Sequence, residues 1–351
     1  MALELKSLSD VMALDFDDII DVRAPAEFAE DHIPGAISLP VLDDAERAEV
    51  GTIYKQVSPF DARKVGAALV AKNAALHLQG PLADRPGKWR PLVYCWRGGQ
   101  RSGSFASILS QIGWRVELVK GGYKTYRGLV VEALYDQPVP APVIVLDGNT
   151  GSAKTDVLKV LQARGVQVID LEGLANHRGS LFGHMGEQPS QKAFEGRLAF
   201  ALARLDPSRP VIIEAESSKV GECRLPPRLW KAMTEAPRIA LDAPRDARAE
   251  YLTRAYGDVV DDKGRLENVL SRLRHAHAAE LIEDWKGMVS KGQFAALASS
   301  LMEHHYDPRY AKHRARMAAP VRDIAADRLD EAGIAKLADQ VAASVAAILP
   351  A

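Results

Sequence analysis

Residues Cys95 to Ser102, "CWRGGQRS", set a cysteine directly after the apolar run Leu92–Tyr94 and ahead of Arg97, Gly98, Gly99 and Arg101. A cysteine at a strand end, with a helix starting at Ser102, feels the partial positive charge of the helix N-terminus. Gly98 and Gly99 let backbone N–H groups approach the sulfur without Cβ obstruction. Arg97 and Arg101 add positive charge. Each feature favours a thiolate, and each favours an anion held above it. A cysteine that only fills a core has no use for such a loop.

A second stretch with chemical potential is "LDGNTGSAKTDVLKVL". An apolar run, a glycine-containing turn, Lys-Thr and a helical pattern form the frame of a phosphate-binding loop. Its members are Gly148, Asn149, Thr150, Gly151, Ser152, Ala153, Lys154 and Thr155. Lys154 is expected on the terminal phosphates, and Thr155 on Mg²⁺ if a metal is used. Ala153 stands where a glycine is expected. Its methyl crowds the approach of phosphate, and Gly151 can relax the turn. "RPVIIEAES" places Glu214 and Glu216 at a later strand end, as candidates for metal or substrate contact. One of the two can equally be a satisfied strand-end carboxylate. "LEGLANHRGSLFG" offers His177 and Arg178 in a polar loop where open α/β sheets bind ligands. Cys223 reads as a bystander, and no set of histidines has metal-ligand spacing. The basic stretch Tyr310–Arg322 suits either a nucleic-acid backbone or a solvated helix face.

These residues need strands to carry them. "DDIIDVR", "AISLP", "PLVYCW" and "RVELVKGGY" read as parallel strands with helices between them. "DQPVPAP", with three prolines, excludes helix and marks a boundary. Beyond it, "PVIVLDG", "VQVIDLE", "RPVIIEAES" and "PRIALDAP" read as a second open α/β sheet. From about Asp246 the pattern is mostly helical. The expected domains are therefore 1–137, a proline linker at 138–142, and 143–351. A length of 351 residues suits two or three domains. With 47% hydrophobic and 26% charged residues the composition is that of a globular protein, and a net charge of -1 gives no global basic field for nucleic acid. Two cysteines cannot build a disulfide framework, so a reducing cytoplasm is expected. No stretch reads as a signal peptide or membrane span.

"DVRAPAEFAEDHIPGAISLP", with the Cys95 loop and "VELVKGGYKTYR", resembles the rhodanese family over about residues 8 to 137. That resemblance implies a small α/β domain that carries sulfur on Cys95 as a persulfide, with Asp21 and Arg23 structural. Five residues between Cys95 and Arg101 also match the Cys-x5-Arg spacing of cysteine phosphatases, although Tyr94 replaces their usual histidine. The motifs "YCWRGGQRS", "LDGNTGSAKT", "NHRGSLFG" and "VIIEAESSKVGE" together resemble the tRNA 2-selenouridine synthase family over nearly the whole chain. This resemblance implies a rhodanese-like domain, then a P-loop NTPase-like parallel α/β domain with a helical C-terminal part. It implies replacement of sulfur by selenium in wobble 2-thiouridine of tRNA. The sulfur is first alkylated from geranyl diphosphate, and selenophosphate then supplies selenium, carried on Cys95 as a selenylsulfide. The implied partners are tRNA, the two small co-substrates and a selenophosphate-producing enzyme, with no tightly bound cofactor. Two rival readings are an ATP-dependent sulfurtransferase or kinase, and a non-catalytic anion-binding module.

Overall fold

The computed structural model describes residues 2–183, 185–260, 262–314 and 321–348. The chain divides into two compact units, Met1–Gln137 with Pro189–Ala203, and Pro138–Gln188 with Arg204–Ala351.

The first unit is built on β1 (Ala2–Leu3), β2 (Asp18–Asp21), β3 (Ala36–Ser38), β4 (Pro91–Tyr94) and β5 (Glu117–Val119). They form a sheet in the order β1-β5-β4-β2-β3, with every pairing parallel. All four residues of β4 are buried, as a strand flanked on both sides and covered on both faces requires. Ile20, Val22, Val93, Phe105 and Leu109 form the core around it. The helix Gln100–Ile112 begins five residues after Cys95 and ends at Gly113, whose φ of 112° stops it.

The second unit contains β6 (Val143–Gly148), β7 (Gln167–Ile169), β8 (Val211–Glu214), β9 (Lys219–Val220), β10 (Cys223–Arg224), β11 (Arg238–Asp242) and β12 (Val321–Ala325). Its main sheet runs β12-β11-β6-β8-β7, again parallel throughout. The β9–β10 pair is a small antiparallel ribbon. All six residues of β6 are buried at the centre. The helix Lys154–Ala163 packs on it through Val157, Leu158 and Leu161. Helices between Arg245 and Arg314 add a separate apolar cluster around Leu270, Ile282, Trp285 and Val289. In each unit the loop singled out by sequence leaves the carboxyl end of an interior strand. That is where neighbouring strands connect in opposite directions and ligands find room.

One observation amends the sequence reading. The helix Gln191–Ala203, inside the expected 143–351 domain, belongs to the first unit. Glu195 accepts from Tyr135 Oη at 2.7 Å and pairs with Arg127, and Lys192 Nζ reaches Glu30 at 2.7 Å. Gly196 lies so close to Tyr126 that a Cβ there would sit 2.7 Å from the tyrosine oxygen. The C-terminal region is mostly helical, as expected, and β12 adds a strand to the sheet edge beside β11. Among the described residues no helix is long and apolar enough to cross a membrane.

Candidate functional site

Cys95 follows β4 and is 3% exposed. Its Sγ accepts the Gly99 N–H at 3.3 Å and the Ser102 Oγ–H at 3.1 Å. The turn is held from behind. Tyr123 N–H donates to Cys95 O at 2.8 Å, and Lys124 N–H to Trp96 O at 3.0 Å. Gly122, with φ of 60°, presses against it so closely that a Cβ would lie 2.2 Å from Cys95 O. Gly98, with φ of 64°, has Val119 O in the corresponding place at 2.7 Å. The glycines thus set the loop's path, and one amide of the expected group, that of Gly99, reaches the sulfur.

Arg101 departs from expectation. Its Nη1 donates to Glu27 Oε2 at 2.9 Å instead of standing over the sulfur. Glu27 lies in the first turn of the helix Pro25–Glu30, accepts from the Ala24 N–H, and also pairs with Arg47 at 2.9 Å. Burial works against its charge, but Arg101 and the other donors hold its carboxyl below the usual range. Arg97 is exposed. A groove of about 840 Å³ beside the loop is lined by Arg47, Lys55, Arg63 and Arg101, giving an anion several cations to meet. Asp21 and Arg23 are fully buried and joined at 2.6 Å, with Arg23 Nη2 also donating to Asp31 O. They brace the region structurally.

The second loop runs from Gly148 to Thr155. Asp147, just before it, is buried, paired with Arg238, and bonded to Arg314 Nε at 3.0 Å. Burial opposes its charge, yet Arg314 and Arg238 keep its carboxyl below the ordinary range. Arg314 also reaches Asn149 Oδ1 at 2.5 Å. Gly151 packs against Leu252 and Arg248, where a Cβ would lie 2.9 Å from Leu252 Cγ. Arg248 donates to Thr150 O at 3.2 Å and grips Asp307 with two bonds of 2.9 and 2.8 Å. Ala153 adopts the left-handed conformation with φ of 59°, a state that disfavours any side chain. The departure from glycine is therefore one of backbone strain more than of crowding. Ser152 is buried, and its hydroxyl has no hydrogen-bond partner. Lys154 Nζ donates to Gly148 O at 2.8 Å and lies 5.6 Å from the centre of the Tyr310 ring.

Acids gather on the far side of Lys154. Thr155 Oγ1 donates to Glu172 Oε2 at 3.1 Å, and the Glu172 N–H donates to Glu214 Oε1 at 2.6 Å. Glu214 is fully buried, and its Oε2 has no partner. Burial, with Glu172 nearby, raises its carboxyl well above the usual range. Glu216 is pushed up to about 8 by burial and by the charge of Glu172. Burial raises the Glu172 carboxyl as well, and the nearby Lys154 charge opposes that shift. Of the two strand-end acids, Glu214 is the interior one. Glu216 lines a cleft of about 1480 Å³ with His177, Arg265, Arg272, Arg309 and Tyr310. His177 Nδ1 accepts from the Gly179 N–H at 3.0 Å, and Arg178 stacks 4.9 Å from the Tyr256 ring centre. Thr155 and Glu172 are the oxygen-bearing pair at the helix end of the loop that could hold a divalent ion. No group of three His, Cys, Asp or Glu suited to a metal occurs among the described residues. Sequence reasoning missed Glu172, Arg248 and Arg314. Arg314 falls within the basic stretch Tyr310–Arg322, of which 315–320 lie outside the described residues.

A strand-end thiol that accepts two hydrogen bonds, and a strand–loop–helix with Lys-Thr at the helix start, define a rhodanese-type unit joined to a phosphate-loop unit. Comparison with known families agrees. Residues 2–129 match the Rhodanese-like domain, and residues 141–332 match the tRNA 2-selenouridine synthase AAA domain. A tRNA 2-selenouridine synthase of Aeromonas salmonicida is 39% identical over 72% of this chain and 69% of its own. One from Sulfurovum is 34% identical over 88% of this chain and 92% of its own. A solved N-terminal domain of a putative ATP/GTP binding protein from Clostridium difficile is 36% identical, covering 38% of this chain and 100% of that one with a TM-score of 0.33. The chain belongs to the tRNA 2-selenouridine synthase family.

Proposed function

We propose that this protein replaces sulfur by selenium in wobble 2-thiouridine of tRNA, through an S-geranyl intermediate made from geranyl diphosphate and resolved with selenophosphate. Family membership supports the overall conversion. The observation that supports the division of labour is the Gly148–Thr155 loop, where Lys154 Nζ reaches back to Gly148 O and the Ser152 hydroxyl is buried without a partner.

In the first step the thiocarbonyl sulfur attacks C1 of the geranyl group. An S–C bond forms, the C–O bond breaks, its electron pair leaves on diphosphate, and the base loses its N3 proton. Lys154 and the loop amides oppose the charge developing on the leaving group. In the second step selenide adds at C2 and geranyl thiol departs. Alkylation matters because an S-alkyl group leaves as a thiol, which a thiocarbonyl cannot do.

Cys95 serves the supply of selenide. Electron counting favours attack of its thiolate at phosphorus over the selenylsulfide the family resemblance suggested. Attack at phosphorus forms an S–P bond and releases hydroselenide, and water then cleaves the thiophosphate to phosphate, with no change of oxidation state. Taking selenium as a selenylsulfide would instead leave phosphite and require a reductant later. The Gly99 and Ser102 donors suit a sulfur that gains charge as the phosphoryl group leaves. The basic groove beside the loop suits the phosphoryl group.

The main rival keeps the phosphate loop and gives it ATP. Titration of the full chain with geranyl diphosphate and with ATP separates them. Binding of geranyl diphosphate, with ATP-independent turnover of thiolated tRNA, is the expected outcome. Turnover that requires ATP and ignores geranyl diphosphate would overturn the reading.

A further inference from the structure

The large cleft beside the phosphate loop holds two polar groups that the phosphate chemistry leaves unused. The helix Phe294–Leu301 runs on into a π-helical turn, Met302–Tyr306, ahead of the helix Asp307–Arg314. The Asp307 N–H reaches back to Met302 O, one residue further than in an α-helix. Such turns are rare and occur frequently at functional sites. This one carries His305 and Tyr306, and both line the cleft. His305 is 2% exposed, and its Nδ1 lies 2.8 Å from His277 Nε2. Its Nε2 is buried without a hydrogen-bond partner, and so is the Tyr306 hydroxyl. Ser180, on the same wall, lies with its Oγ 3.1 Å from Tyr256 Oη. Buried polar atoms are nearly always satisfied, so two orphans on one turn point to a ligand that satisfies both.

Both groups are neutral. Burial, helped by Arg309 and His277, pushes the His305 imidazole down to about 4, and burial raises the Tyr306 hydroxyl above its ordinary range. A phosphate calls for cations or several N–H donors, whereas a neutral imidazole and a neutral hydroxyl suit the edge of a neutral ring. Phe182 and Val259 give the same cleft an apolar wall for the ring face, and the exposed Arg272 and Arg309 line it for backbone phosphates. Tyr310, one turn beyond Tyr306, lies 5.6 Å from Lys154 Nζ, so one helical segment carries the pair and flanks the phosphate loop. We propose that His305 and Tyr306 read the Watson–Crick edge of the target pyrimidine in the tRNA. His305 Nε2 accepts the N3–H of the base, Tyr306 Oη donates to O4, and the C2 substituent beside them stays free to react. His277 fixes the tautomer by accepting the His305 Nδ1–H, which leaves Nε2 its lone pair. A cytosine-type ring turns its own N3 lone pair toward that nitrogen and is rejected. The proposal rests on the prenyl-transfer reading and adds the residues that choose the base.

Two variants of the full chain test this, with geranyl diphosphate as donor and anticodon stem-loops carrying either 2-thiouridine or 2-thiocytidine as acceptors. The readout is the ratio of kcat/KM for 2-thiouridine over 2-thiocytidine, which does not depend on the folded fraction. His305→Ala should lower that ratio at least tenfold. Tyr306→Phe should lower kcat/KM for the 2-thiouridine stem-loop at least fivefold and leave the affinity for geranyl diphosphate within twofold. It should melt no lower than wild type, because it loses only an unsatisfied hydroxyl. An unchanged ratio in His305→Ala would overturn the pair's role and leave prenyl transfer standing, as would wild-type kcat/KM or a lowered melting temperature in Tyr306→Phe. Wild-type protein that alkylates neither stem-loop would remove both.

Discussion

Ala153 and Glu216 are two residues whose individual states depart from ordinary values. Ala153 occupies φ of 59° and ψ of 26° immediately before Lys154. A left-handed residue with a Cβ costs about 1–2 kcal/mol, partly offset by the extra entropy glycine loses on folding. Ala153→Gly should therefore stabilise the second unit by about 0.5–1 kcal/mol, read as a higher urea midpoint with an unchanged slope. A lower midpoint would show that the methyl's packing outweighs the strain. Glu216 is raised on folding, so its contribution to stability is fully present below the unfolded value of about 4.3 and is lost as pH rises toward about 8. Glu216→Gln stays neutral and lacks that loss. The variant's melting temperature should gain on wild type steadily between about pH 4.5 and 8 and then run parallel. A pH-independent gap would contradict the assignment. The positions of Glu214 and Glu216 were legible as a strand end. Which one is interior was not, because that depends on how the Glu172 backbone comes to meet Glu214 across 42 residues.

The elements were most legible where the chain is most buried. Runs such as "PLVY" and "VIVL" are apolar from end to end because parallel strands covered on both faces must be. The Cys95 loop and the phosphate loop follow those strands, so their placement could be read directly. The two-residue β1 leaves no pattern to detect, and β12 is interrupted by Arg322 and Asp323. The fate of Arg101 was equally hidden, since its partner Glu27 is 74 residues away. Glycine determines the cysteine loop's shape from outside it. In Gly122→Ala the new Cβ meets Cys95 O and the Gly98 amide at 2.2 and 2.5 Å, on a residue with positive φ. That contact is with backbone, which cannot rotate away. The substitution should cost the first unit about 2–3 kcal/mol and abolish the selenium step while sparing geranylation. Full selenation activity in folded Gly122→Ala would show that the loop tolerates another path.

On the scale of the whole molecule, the helix Gln191–Ala203 shows that the first unit is discontinuous in sequence. Its apolar residues announce burial on several sides but not what they are buried against, so a boundary at the proline linker was the natural inference. Glu195 is 3% exposed and pairs with Arg127. Removing one partner of a buried pair strands the other. Glu195→Ala should lower the first unit's stability by about 3 kcal/mol, and a fragment ending at Gln137 should be less stable than the full chain and gain stability when a 189–203 peptide is added. A fragment as stable as the intact unit would refute the discontinuity. The account's central claim is that the two loops serve two successive steps. It is tested by nucleoside mass analysis of thiolated tRNA incubated with Cys95→Ala or Lys154→Ala protein, geranyl diphosphate and selenophosphate. Cys95→Ala should accumulate S-geranyl-2-thiouridine, and Lys154→Ala should leave 2-thiouridine unaltered yet convert pre-geranylated tRNA to 2-selenouridine. Wild-type selenation by Cys95→Ala, or wild-type geranylation by Lys154→Ala, would contradict it.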